Sequence, residues 1–186
     1  MKASTNKNAL PVGMVLGPST VTTTTMQTRS LTRILQSKLD EAYFVFRQLP
    51  RQLHSAAKRI GLLTLRDRML TRARALLERS EQLMRAMRNW QGRKPLPCTC
   101  EDLSTELNEL RYAVKSQPPE RWLASTTVRI ANRLYTMVRD RLVRARRIAV
   151  QINEEQLAAD IHALLEEEQR SDDELVKALG SGSAQG

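Results

Sequence analysis

Apolar residues recur at spacings of three and four along most of this chain, and that rhythm predicts helices. The first stripe runs through Leu31, Ile34, Leu35, Leu39, Ala42, Val45, Phe46 and Leu49, with Ser30 as an acceptable N-cap. Pro50 is expected to end or kink this helix, leaving a short piece with Leu53, Ala57 and Ile60 inward as far as Gly61. Thr64 and Asp67 then mark the start of a second helix. Its stripe of Met69, Ala73, Leu76, Ser80, Leu83, Met87 and Trp90 alternates like a coiled-coil seam. A loop with Gly92, Pro95 and Pro97 precedes a third stripe, Leu103, Leu107, Leu110 and Val114. Pro119 suits the first position of a fourth helix, from about Glu120 to Ile152. Its inward face is Leu123, Thr127, Ile130, Leu134, Met137, Val138, Ala145, Ile148 and Ile152.

Short links favour antiparallel neighbours, so the expected fold is all-α: an antiparallel, up-down helical bundle with long, coiled-coil-like helices. Low counts of Gly and Pro, 7 each, and only 4% aromatic residues agree with a core of aliphatic side chains. A fourth helix of about 50 Å exceeds a compact bundle. Its C-terminal half is therefore expected to project and pack on another subunit.

The ends differ from the middle. Residues 1–29 read as an extended or disordered basic arm, because Pro11, Gly13, Gly17 and Pro18 break any helix and Thr22–Thr25 is helix-poor. These breakers also argue against a transit peptide, and the run Ala9–Gly17 lacks a secretory cleavage pattern. Residues 30–152 read as the basic bundle, and 153–186 as an acidic helical tail with a flexible end. Within that tail, Asn153 with Gln156 and Ser171 with Glu174 resemble capping boxes.

Charge sharpens the division. The net +10 is a sum of opposites: residues 1–150 carry +17 and residues 151–186 carry −7. A body that basic attracts polyanions, whether nucleic acid, an anionic membrane surface or acidic protein. A bland reading stands beside this one: charge for solubility and a coding bias, since arginines outnumber lysines 23 to 7.

Placed at 100° per residue, the arginines of the second and fourth helices fall opposite the apolar stripes. The candidate nucleic-acid contacts are Arg68, Arg72, Arg79, Arg129, Arg133, Arg139, Arg144, Arg146 and Arg147. Guanidinium forks in a row can reach successive phosphates, with counterion release supplying affinity without sequence reading. Their bland alternative is a solvated face. Arg141 stands apart, at the centre of the fourth helix's apolar stripe. It is expected to be solvated where that helix leaves the bundle. The alternatives are pairing with Glu106 or Glu109, or contact with an anionic ligand.

Catalytic chemistry finds little footing. Two histidines, His54 and His162, and the pair Cys98 and Cys100 do not make a four-ligand zinc set, and no Glu-x-x-His occurs. No phosphate-cradling glycine loop or serine elbow is present. No cofactor or metal is expected, and the chain is not expected to be an enzyme. Cysteines one residue apart make no disulfide framework, so a cytoplasmic or other reducing compartment is expected, a virion component included.

The leading reading is thus a non-enzymatic helical protein that contacts nucleic acid or another polyanion, largely without sequence specificity. The alternative is a structural or assembly protein, a viral or phage component for example, acting through helix–helix oligomerisation or a protein partner. A peripheral membrane binder is weaker, because the stripes resemble bundle seams, and no transmembrane segment is expected. The acidic tail is expected to fold over the basic faces and compete with the polyanion.

Overall fold

The computed structural model describes the backbone of residues 19–97 and 100–180, and the side chains of 26–97 and 100–167. Residues 1–18 of the arm expected over 1–29, Cys98 and the flexible end over 181–186 lie outside the described residues; residues 19–29 of that arm are helical instead. The described chain is all-helical: α1 (Ser19–Ala57), α2 (Leu63–Gln91), α3 (Glu101–Lys115), α4 (Glu120–Gln151) and α5 (Glu155–Gly180).

The first helix is longer at both ends than its sequence suggests. It begins at Ser19 rather than near Leu31, and it runs through Pro50 to Ala57. The threonine run lowers helix propensity by only tenths of a kcal/mol per residue, which extension of an already nucleated helix overcomes. Pro50 is buried and the flanking Leu49 and Leu53 are 0% and 3% exposed, so packing on both sides holds the helix across the break.

The α2 stripe behaves as its spacing predicts: Met69, Ala73, Leu76, Ser80, Leu83 and Met87 are all buried. Its start does not. Leu62 is the N-cap and makes no side-chain bond. Instead Oε1 of Glu120, at the head of α4, accepts the backbone N–H groups of Gly61 at 2.7 Å and Leu62 at 3.3 Å. One carboxylate thereby ties the entry of α2 to that of α4. Glu120→Ala should cost about 1 kcal/mol, the usual worth of a cap, and lower the melting midpoint by about 2–4 °C. A melt followed by circular dichroism checks this; an unchanged midpoint would show the tie to be idle. At the other end of α2, Gly92 takes φ 63° and its N–H reaches the Arg88 carbonyl, closing the helix in the left-handed conformation glycine favours.

Residue pairings fix the topology. Glu41 of α1 meets Arg141 of α4, and Gly61 meets Glu120, so α1 and α4 are antiparallel. Arg72 faces Tyr135, while Leu65 and Met69 share a groove with Thr127 and Ala131, so α2 and α4 run parallel on the diagonal. Helix α5 lies against α2 and α4, with Arg79 meeting Glu167. The ring order is α1, α2, α5, α4, each antiparallel to its neighbours. Getting from α2 to α4 requires the chain to climb the bundle's full length, and α3 makes that climb against α1 and α4.

Three expectations fail at the C-terminal end of the bundle. Helix α4 does not project: Leu142, Ala145 and Ala149 are 0% exposed. The partner that covers them is α5, the supposed tail. Its Leu157, Ala158, Ile161 and Leu164 are between 0% and 6% exposed and belong to the main core. The bundle therefore does not stop at 152, because its fourth wall is the acidic helix. Asn153 likewise is not a helix start. With φ 60° it closes α4 in a Schellman motif, its N–H bonded to Val150 and that of Glu154 to Ala149.

Candidate functional site

The arginines divide into three groups once placed on the fold. Arg72 and Arg79 are not on an outer face; they are 7% and 3% exposed. The Arg72 guanidinium stacks 4.1 Å from the Tyr135 ring centroid, a cation–π contact inside the bundle. Arg79 donates to the backbone carbonyl of Glu167 at 2.9 Å. The signal for this lay in the spacing: each follows a buried stripe residue by three and precedes another by four, which puts it beside the stripe rather than opposite. Arg68, one turn earlier, is half-buried.

Arg129 and Arg133 are exposed but engaged. They hold Glu109 and Glu106 of α3, each at 2.6 Å, and so fasten the crossover helix to α4. The hydrogen bond and charge of Glu106 raise the pKa of Arg133. The third group, Arg139, Arg144, Arg146 and Arg147, is exposed on the C-terminal half of α4.

The densest polar cluster sits where α1, the foot of α3 and α4 converge, and Arg141 is its centre. The structure brings Arg141 to Glu41 and Asp102, not to solvent and not to Glu106 or Glu109. Its Nε donates to Glu41 Oε2 at 2.5 Å, Nη2 to Asp102 Oδ2 at 2.7 Å and to Cys100 Sγ at 3.3 Å, and Nη1 to the Met137 carbonyl at 3.0 Å. Lys38 and Ser37 complete the shell of Glu41 at 2.8 Å and 2.9 Å. Next to it, Asp40 accepts from Arg93 at 2.9 Å and from the Leu96 backbone at 3.0 Å, holding the α2–α3 loop onto α1.

Burial and hydrogen bonding compete over these groups. Burial works to raise the Glu41 carboxyl, but bonds from Lys38, Arg141 and Ser37 outweigh it and hold the group below its ordinary value. Asp102 is lowered in the same way, against burial, by Cys100, Arg141 and the Leu103 N–H. Arg141 is raised, its bonds to Cys100, Asp102 and Glu41 overcoming desolvation. For Asp40 burial wins, and its carboxyl is raised above its ordinary value. Burial and the neighbouring Asp102 push the Cys100 thiol up, which favours the protonated form over a nucleophilic thiolate. These bonds join α1, the start of α3 and α4 through a single guanidinium.

The architecture is that of a four-helix bundle with one long crossover, the connection found in ferritin-like folds. Members of that class that carry two metal ions project Glu and Glu-x-x-His sets inward. This sequence contains no Glu-x-x-His, and among the described residues no three His, Cys, Asp or Glu side chains converge on a metal position. The α2 side of the interior offers arginines instead. The residues do not fit such a centre.

No family model and no curated sequence matches the chain. Two solved structures share its fold. The Escherichia coli stress protein YciF is similar with a TM-score of 0.71 at 15% identity, over 84% of this chain and 98% of that one. "YcfI, a putative structural protein from Rhodopseudomonas palustris" is similar with a TM-score of 0.68 at 15% identity, over 78% and 92%. At that identity the likeness establishes the bundle. Among the described residues no helix is long and apolar enough to cross a membrane.

Proposed function

We propose that this protein is a non-enzymatic helical binding protein whose exposed arginines engage the phosphate backbone of nucleic acid, or another polyanion, without reading sequence. The supporting observation is the C-terminal half of α4. Arg144, Arg146 and Arg147 are exposed there, with no ion-pair partner among the described residues. Exposed guanidiniums with no carboxylate to satisfy them remain available to phosphate. Binding to duplex or single strands should weaken linearly in log affinity against log salt. Replacing Arg144, Arg146 and Arg147 by Ala together should reduce that slope by about 3. A slope unchanged by the triple variant would exclude this surface, and no mobility shift at low salt would exclude the reading itself.

A second reading is a structural protein that assembles through helix contacts; the Rhodopseudomonas palustris neighbour is described as "a putative structural protein", with nothing said of its contacts. It is favoured by exposed Leu62, Leu63 and Trp122, at 60%, 66% and 49%, at the end of the bundle where Glu120 meets Gly61. Light scattering separates the readings: a concentration-independent monomer excludes self-assembly.

A further inference from the structure

The fold shows how it fills one of its own perimeter grooves. Helix α3 lies along the seam of α1 and α4, burying Leu103, Leu107 and Leu110, while Glu106 and Glu109 pair with arginines on the rim. The groove between α1 and α2 has the complementary surface and no such helix among the described residues. It encloses about 590 Å³. Pro50, Leu70 and Leu77 form its floor, with Leu77 39% exposed, and Arg47, Arg51 and Arg74 stand on its rim. No acidic residue lines it. Among the described residues none of these three guanidiniums has a hydrogen-bond or ion-pair partner, unlike Arg129, Arg133 and Arg141 around α3.

We propose that the α1–α2 groove docks an acidic amphipathic helix of a partner protein, in the manner in which α3 docks on α1 and α4. Charge complementarity requires the occupant to be anionic. The apolar floor requires it to have a face to bury, which a phosphodiester backbone lacks and an amphipathic helix has. Residues 47–55 of α1 and 70–77 of α2 span about 11–12 Å, the length of two helical turns. Arg47 and Arg51, one turn apart, can then reach carboxylates on one side of the guest helix and Arg74 on the other. This site is separate from the α4 arginines and does not depend on the polyanion reading.

The test uses the full chain and a fluorescein-labelled 18-residue peptide. The peptide repeats the α3 spacing, with Leu at i, i+4 and i+7 and Glu at i+3 and i+6. Fluorescence anisotropy should give saturable binding, weakened by about tenfold or more in Arg47→Glu/Arg51→Glu and in Leu77→Ser. All these side chains are exposed, and circular dichroism confirms that the variants are folded; Arg74→Glu serves as a second charge reversal. Absence of saturable binding overturns the proposal, as does equal binding of a peptide of the same composition with its leucines scattered. Loss in the arginine variants with none in Leu77→Ser, together with displacement by duplex DNA, would show a phosphate site and overturn it as well.

Discussion

Arg141→Ala lowers the unfolding free energy by about 3 kcal/mol, at the lower end of what breaking a buried ion pair costs. For a chain of this size that corresponds to about 6–12 °C in the melting midpoint. The reason is what remains behind. The Glu41 side chain is 8% exposed, and loss of the guanidinium leaves its Oε2 with only the Lys38 contact in a poorly hydrated position. Asp102 is 54% exposed and rehydrates, and Lys38 stays on Glu41, which keeps the loss from the upper end of the range. Urea unfolding followed by circular dichroism measures it. A loss below about 1 kcal/mol would mean that the clamp does not stabilise the fold. The double variant Glu41→Leu/Arg141→Leu should cost less than Arg141→Leu alone, because the buried Glu41 carboxylate is then gone and the charges left behind, Lys38 and Asp102, reach water.

Acid titration supplies a second readout of the same clamp. Glu41 and Asp102 both have folded pKa values below their ordinary 4.5 and 3.8. Such groups contribute stability that is present above the unfolded value and is lost as pH falls through the folded one. The window therefore opens at about pH 4.5 and extends downward. Asp40, whose pKa is raised, acts in the opposite sense, since its protonation relieves a burial penalty. Stability should nevertheless fall in acid, and the fall should be shallower in Arg141→Ala, which has already lost the bonds that hold Glu41 and Asp102 low.

Ending the chain at Gln151 abolishes cooperative folding. The deletion strips the cover from Val138, Leu142, Ala145 and Ala149, all at 0% exposure, and removes Leu157, Ala158, Ile161 and Leu164 from the core. Each lost large aliphatic contact costs about 2–5 kcal/mol, and a few of them equal the roughly 5–15 kcal/mol by which a domain is stable. Residues 1–151 should show reduced ellipticity at 222 nm and no sharp thermal transition. Ile161→Ala, a milder probe, should cost about 2–4 kcal/mol. A truncated chain that melts like the full one would show that α5 is dispensable. Tail deletion is accordingly a poor probe of competition for polyanions, because it removes a wall of the bundle.

Periodicity made most of the helices legible. The α2 stripe, the inward face of α4 and the Leu103–Leu110 run of α3 are where three-four spacing puts them. Local composition misled where tertiary packing dominated: a buried Pro50 inside α1, and acidic residues on the outer side of a helix whose other side is core. The arginine faces were half legible. Arg144, Arg146 and Arg147 are exposed as expected, but Arg72 and Arg79 are buried beside the stripe. Arg141 was marked by its position, yet its partners Glu41 and Asp102 lie 100 and 39 residues away, a distance that no local pattern encodes.

The climbing connection between α2 and α4 has a consequence for how the chain comes into being. At ribosomal rates of about 5–20 residues per second, the roughly 60 residues from the end of α2 to the end of α4 take about 3–12 s to emerge. Through that interval the α1–α2 hairpin is complete but has neither long partner. Leu35, Leu39 and Leu76 then face water or whatever holds nascent chains, and α3 is the first segment able to shield part of α1. Synthesis thus passes through a sticky half-bundle, whose protection rests on prompt docking of a short acidic helix.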